Sequence, residues 1–207
     1  MIFRGNFLNH VQVAVTNRLL RVTQLAWDFL RPVINPGDIV VDATAGTGQD
    51  SLFLLQCVGS TGRVFSFDVQ AAAIQQTKKM IEDSGCSGKI TFVQKSHALI
   101  VEVLKQENIQ LCTVKAVMFN LGYFPGGDQK LVTNVETTLK ALSGALALLA
   151  PGGMITVCLY SGHPGGLAES EAVIKWAETL EKPFMAHHFR TLNRKLPPTL
   201  VLIQRTR

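Results

Sequence analysis

Val40-Val41-Asp42-Ala43-Thr44-Ala45-Gly46-Thr47-Gly48-Gln49-Asp50 decides the architecture: a β-branched apolar run ends on a carboxylate, and a Gly-x-Gly turn leads into a helical pattern. Gly46 and Gly48 let the backbone turn tightly and approach a ligand, and the helix that follows offers unpaired N–H groups at its start. A strand, a turn and a helix in this order form the opening unit of a parallel α/β sheet. Working outward, short β-rich runs alternate with longer helical patterns along the whole chain. The spacing predicts strands over 38–43, 64–68, 90–94, 116–120, 154–160, 184–191 and 199–205. Helices are predicted over 16–30, 50–58, 71–84, 99–106, 132–149 and 167–180. Only residues 192–198 separate the last two strands, too few for a crossover helix, so those strands form an antiparallel hairpin. The expected fold is α/β and Rossmann-like: seven strands, mostly parallel, with a C-terminal antiparallel hairpin and helices on both faces.

The chain has 207 residues, enough for one domain with a substantial core and too few for two ordinary ones. One unit is expected over 1–207, a helical extension over 1–37 preceding a core over 38–207. Hydrophobic residues at 47% and charged residues at 17% exclude a disordered chain. The longest apolar stretch, 141–150, is interrupted by Ser143 and Gly144 and stops at Pro151, short of the ~20 residues a membrane-spanning helix needs. Cys57, Cys86, Cys112 and Cys158 form no C-x-x-C pair and have no histidine at ligand spacing, so neither a metal nor a disulfide is expected. They read as reduced structural thiols. The formal charge of +5 is uneven: Arg4, Arg18 and Arg21 at one end, and Lys182, Arg190, Arg194, Lys195, Arg205 and Arg207 at the other, lie in segments without any acid. If the two ends meet on one face, they form a surface for phosphate backbones.

In open α/β sheets the ligand sits beyond the carboxyl ends of the strands. The residues there carry the chemistry. Asp42 stands four residues before Gly46, where it opposes a pyrophosphate but suits the ammonium of an amino-acid tail. Asp68 ends the second strand in Phe67-Asp68-Val69-Gln70 and can accept both ribose hydroxyls of an adenosine. Ser96 and His97 follow the third strand, where an adenine edge is expected. Tyr123 and Tyr160, the only tyrosines, follow ligand-edge strands and suit stacking on an unpaired base. Arg194 and Lys195 in the hairpin turn suit phosphates.

The segments Asp42 to Asp50, Phe67-Asp68-Val69-Gln70 and Leu149-Ala150-Pro151-Gly152-Gly153, with the terminal hairpin, resemble class I S-adenosylmethionine methyltransferases. More narrowly, Phe119-Asn120-Leu121-Gly122-Tyr123-Phe124-Pro125-Gly126-Gly127-Asp128, Tyr160-Ser161-Gly162-His163, and Asn193 with Pro197-Pro198 resemble the YtqB-like family, whose MnmM-type members methylate the wobble uridine of tRNA. The resemblance implies conversion of 5-aminomethyl-(2-thio)uridine to its 5-methylaminomethyl form, with S-adenosylmethionine as donor, S-adenosylhomocysteine as product and no metal. It assigns the donor to Asp42, Ala43, Gly46, Thr47, Gly48, Asp50, Asp68, Gln70, Ser96, His97 and Asn120. It assigns the RNA to Gly122, Tyr123, Tyr160, His163, Asn193, Arg194 and Lys195, and the chemical step to Asn120, Tyr123 and Asp128.

Asn120-Leu121-Gly122-Tyr123 is also similar to the Asn-Pro-Pro-Tyr motif of enzymes that methylate exocyclic amines. There the Asn oxygen accepts from the target nitrogen and the aromatic ring stacks on the base. A primary alkylamine with a pKa near that of Lys, ~10.4, must lose a proton before it attacks, and Asp128 and His163 are the acceptors available. Competing readings are a methyltransferase acting on rRNA or a small amine, an NAD-dependent oxidoreductase, and a silent RNA-binding module. The expected partner is the tRNA anticodon stem-loop, without a membrane, and the expected setting is the cytoplasm. An organelle is the alternative if the Arg-bearing N-terminus is a targeting remnant. Monomer and homodimer both remain open.

Overall fold

The computed structural model describes residues 21–128 and 131–206. Helix α1 (Val22–Leu30) precedes β1 (Ile39–Asp42), α2 (Gln49–Val58), β2 (Arg63–Phe67), α3 (Ala71–Ser84) and β3 (Lys89–Val93). A 3-10 turn (His97–Leu99) leads into α4 (Ile100–Gln106), followed by β4 (Val114–Leu121), α5 (Val135–Leu148), β5 (Leu149–Leu159), α6 (Gly166–Glu178), β6 (Phe184–Phe189) and β7 (Thr199–Arg205). One sheet runs in the order β3-β2-β1-β4-β5-β7-β6. Neighbours from β3 to β5 are parallel, while β7 is antiparallel to both β5 and β6. The predicted class is therefore the observed one. The order reverses between β1 and β4, which opens a crevice at their carboxyl ends.

Side chains alternate across the sheet and feed two cores. Val41, Phe65, Val117, Phe119, Ile155 and Val157 pack with α4, α5 and α6. Val40, Val64, Ala116, Met118, Met154 and Cys158 pack with α1, α2 and α3. This alternation fixes the site. Because Ala116 and Met118 face α1 and α2, the next residue of the same parity, Asn120, faces them too.

Several boundaries differ from the sequence reading for local reasons. Helix α5 begins at Val135 rather than 132, because Val132 makes an antiparallel bridge with Tyr123 and Thr133 N–H donates to the Gly122 carbonyl at 2.9 Å. Asn134 then caps the helix, its Oδ1 accepting from Thr137 N–H at 3.1 Å. Residues 150–153, left between the predicted helix over 132–149 and the predicted strand over 154–160, join Leu149 in an irregular start to β5 whose register shifts against β4. Strand β6 ends at Phe189, two residues early, since the hairpin turn already occupies 190–198. The predicted helix over 16–30 is seen only as α1; its first residues lie outside the described ones, as do Arg4, Arg18 and Arg207.

The thiol expectation holds for Cys158, which is buried; Cys57 and Cys86 are half-buried and Cys112 is exposed. The basic C-terminal segment also divides. Arg205 lies at the far edge of the sheet, bonded to the Leu149 carbonyl at 2.6 Å, and Lys182 precedes β6 at that same edge. Only Arg190, Arg194 and Lys195 sit in the turn at the ligand edge.

Candidate active site

A cleft of about 1100 Å³ opens at the carboxyl ends of β1 and β4. The turn after β1 forms its floor. Gly48 adopts φ 88° and begins α2; a β-carbon there would lie 2.9 Å from Thr77 Cα of α3, so glycine is what lets the two helices approach. Asp68 braces this turn, accepting from Gly46 N–H at 3.0 Å and from Gln70 N–H at 2.9 Å, and it still lines the cleft. Ser96 lines it as well while accepting from Ala98 N–H at 3.2 Å, which caps the 3-10 turn.

The far wall is the loop after β4. Gln70 fastens it: Asp128 N–H donates to Gln70 Oε1 at 3.0 Å, and Gln70 Nε2 donates to the Asp128 carbonyl at 3.3 Å. A β-carbon on Gly127 would come within 2.3 Å of that Oε1, which explains the glycine. Tyr123, 42% exposed, stands edge-on to His163 with ring centroids 6.1 Å apart. Tyr160 lines the wall nearest Asp50, and burial raises its phenol well above the usual range.

Most of the predicted residues converge on this cleft: Ala43, Gly46, Thr47, Asp50, Asp68, Gln70, Ser96, His97, Asn120, Gly122, Tyr123, Tyr160 and His163. Among the described residues that line it, Asp42, Gly48, Asp128, Asn193, Arg194 and Lys195 are absent. Asp42 is fully buried beneath the first turn of α2, where it accepts from Ser51 Oγ at 2.6 Å and from Thr44 N–H at 3.1 Å. Of Asp42 and Asp50, it is Asp50, itself nearly buried, that lines the cleft. Asp128 shapes the wall through its backbone. Arg194 lines a smaller adjoining hollow of about 270 Å³ together with His188 and Arg190, and this hollow shares Ser161 and Leu196 with the main cleft.

Among the lining residues that the sequence reading had not assigned to the site, Trp27 and Thr44 make hydrogen bonds to its central groups. Trp27 of α1 lies flat on Phe53 of α2, with centroids 4.9 Å apart and an interplanar angle of 2°, and its Nε1–H donates to Asp50 Oδ1 at 2.5 Å. Thr44 Oγ1 accepts from Asn120 N–H at 2.7 Å. A partly buried indole needs an acceptor, which was the one signal available for Trp27 in the sequence.

The polar accounting is informative. Four buried side-chain atoms among the described residues lack a hydrogen-bond partner, and three of them, His97 Nε2, Asn120 Oδ1 and His163 Nε2, belong to residues lining the cleft. Both histidines place Nδ1 against a carbonyl, Ala43 at 3.2 Å and Pro164 at 3.1 Å. A carbonyl only accepts, so Nδ1 carries the proton and Nε2 of the neutral ring is an acceptor. Burial lowers the His97 pKa and favours that neutral ring. Unpaired buried acceptors are costly, and three at one cleft suit a ligand that presents N–H donors. Among the described residues no cluster of three or more His, Cys, Asp or Glu could hold a metal ion.

Asp42 and Asp50 share a buried region. Burial first, and the charge of Asp50 second, push Asp42 up to about 7 from its ordinary 3.8. Burial also raises Asp50, against the indole and amide hydrogen bonds that favour its charged form. The unfolded chain releases the Asp42 proton near 3.8 and the folded chain near 7, so the stability it contributes is full below 3.8 and is lost as pH rises through 7. Asp42→Asn, which cannot ionise, should therefore gain stability relative to the wild type between pH 4 and 8, by an amount on the order of a few kcal/mol at about 1.4 kcal/mol per unit. Urea denaturation at the two pH values checks this; a difference that does not change with pH contradicts it.

Known proteins resemble this chain in sequence and in fold. The family model described as "Putative rRNA methylase" matches residues 64–205. A chloroplastic tRNA (mnm(5)s(2)U34)-methyltransferase of Arabidopsis thaliana is 35% identical, over 88% of this chain and 69% of that protein. The crystal structure described as a "putative rRNA-methylase" from Clostridium thermocellum superposes with a TM-score of 0.81 at 38% identity, covering 89% of this chain and 97% of that one. A protein of Streptococcus mutans described as "a putative methyltransferase" and solved in complex with SAH gives 0.77 at 30% identity, with the same coverage.

Proposed function

We propose, from the premise that this chain belongs to the rRNA-methylase family and is a methyltransferase, that it methylates the 5-aminomethyl nitrogen of a tRNA wobble uridine, with S-adenosylmethionine as donor. The observation that carries the reading is the trio of unpaired buried acceptors, His97 Nε2, Asn120 Oδ1 and His163 Nε2, around one cleft. An adenine amine and an alkylamine substrate are both N–H donors, and the S. mutans protein was solved with SAH.

When bound, the donor supplies a methyl group already activated on a sulfonium. The protein has then to bind, orient and deprotonate. On this reading Asp68 takes the ribose hydroxyls, and His97 accepts from the adenine edge. Neither Asp42, spent on Ser51 and Thr44, nor Asp50, spent on Trp27 and Asn120, has a free oxygen for the ammonium of the donor, so both act through the groups they hold. Asn120 Oδ1 accepts from the substrate amine and aims its lone pair, an orientation effect worth several kcal/mol. Tyr123 stacks on the uracil. A wobble base is already unpaired, so exposing it costs little. His163, edge-on to Tyr123, is placed to take the amine proton, whereas Asp128 acts by closing the loop.

Arg190 and Arg194 line the hollow that adjoins the cleft, and Lys195 follows Arg194 in the hairpin turn, a setting for phosphates of the anticodon strand. Arg194→Ala with Lys195→Ala should weaken tRNA binding and reduce its log-log salt slope by about 1.4, two contacts at ~0.7 each. Donor affinity should not change. Filter binding over a salt series checks this, and an unaltered slope removes both residues from the phosphates. No helix among the described residues is long and apolar enough to cross a membrane. The proposed setting is a compartment where translation occurs, the cytoplasm or an organelle.

Substrate class is tested by offering the protein methyl-labelled donor with tRNA carrying 5-aminomethyl-(2-thio)uridine, the same tRNA without it, and rRNA. Label in the first alone is the expected result. Label in rRNA would favour the second reading that the family name suggests.

A further inference from the structure

Asn120 can present either end of its amide to the cleft, and the two ends do opposite things: the oxygen accepts from an amine N–H and leaves its lone pair free to attack, whereas the NH₂ donates to that lone pair and occupies it. Its Nδ2–H donates to Asp50 Oδ2, the other oxygen of the carboxylate that receives the Trp27 indole. A carboxylate flanked by two donors dictates which end faces it. The free end is then Oδ1, the buried acceptor without a partner. Trp27 is itself fixed by its flat stack on Phe53, three residues after Asp50 on the same helix.

We propose that Asp50 and Trp27 are positioning residues that lock the Asn120 amide with its oxygen toward the cleft, so that helix α1 forms part of the amine-binding site. The inference rests on the amine-methylating reading above, and it adds the means by which the amide is oriented. In Asp50→Asn, the residue at 50 satisfies the indole with its oxygen and turns its own NH₂ toward Asn120. Asn120 must then rotate, offering NH₂ to the cleft. Exchanging the two groups, Asp50→Asn with Asn120→Asp, restores both the internal hydrogen bonds and an oxygen facing the cleft.

The test has a kinetic arm and a spectroscopic one. Asp50→Asn should lower kcat about 100-fold on tRNA bearing 5-aminomethyluridine, and the exchanged double variant should recover at least tenfold of that. Trp27→Phe, which keeps the stack and deletes the N–H, should lower kcat several-fold with the KM for tRNA within twofold. In ¹⁵N spectra of the protein alone, Asn120→Ala should shift the Trp27 indole N–H resonance, identified by its loss in Trp27→Phe, because both groups bond to one carboxylate. An indole resonance indifferent to Asn120→Ala overturns the network whatever the substrate is. An exchanged variant no better than Asp50→Asn overturns the orienting role. Failure of the wild type on this tRNA, with the indole shift present, would fault the substrate assignment instead.

Discussion

Asn120→Ala is expected to slow methyl transfer by 10²- to 10³-fold while donor and tRNA affinities stay within about threefold. The magnitude is that of removing one oriented polar group from a transition state. The split follows from where the group acts: Asn120 Oδ1 is unpaired before substrate arrives, and alignment of the amine is expressed mainly at the transition state. The backbone should tolerate the change, because Asn120 N–H keeps its bond to Thr44 Oγ1. Single-turnover rates with separately measured dissociation constants decide the matter. Near-normal turnover would remove the amine-holding role and leave this loop a structural duty.

Asp68→Ala should act on the other substrate. Loss of hydrogen bonds to a charged group costs about 1.5 to 3 kcal/mol, a 10- to 150-fold weaker donor affinity. Part of that loss comes through the protein, since Asp68 also holds Gly46 N–H and Gln70 N–H. Asp68→Asn separates the contributions: it keeps one acceptor for the turn and loses the charge, so it should fall between wild type and Asp68→Ala. Calorimetric titration with S-adenosylmethionine and S-adenosylhomocysteine provides the comparison. Unchanged affinity in Asp68→Ala would take this residue off the ribose.

The strands were legible because their apolar residues are short, β-branched and regularly spaced, and the hairpin because 192–198 leaves room for nothing else. The Gly46 and Gly48 turn and the Asn120 to Tyr123 loop were legible as motifs. What the sequence could not reveal was which of two nearby acids lines the cleft. Asp42 and Asp50 sit at either end of one motif, and only the folded arrangement, with Asp42 bonded to Ser51 and Ser51 to Ser66, puts the first beneath the turn and the second, also buried, against the cleft. Trp27 was hidden for a similar reason: its partner lies 23 residues away on another helix, and helical spacing alone marks it as core. The basic C-terminal segment misled by proximity in sequence, because an antiparallel hairpin sends Arg194 and Arg205 to opposite edges of the sheet.

The central claim is that this cleft places a methyl group on the exocyclic amine of a wobble uridine, and nucleoside mass spectrometry tests it most directly. Wild-type protein, S-adenosylmethionine and tRNA bearing 5-aminomethyl-2-thiouridine would be incubated, and the tRNA digested to nucleosides. The account predicts that 5-aminomethyl-2-thiouridine is depleted and 5-methylaminomethyl-2-thiouridine appears in its place, with fragmentation locating the methyl on the side-chain nitrogen. A methyl found on the base ring, on ribose or on another nucleoside, with the 5-aminomethyl form left intact, would contradict it.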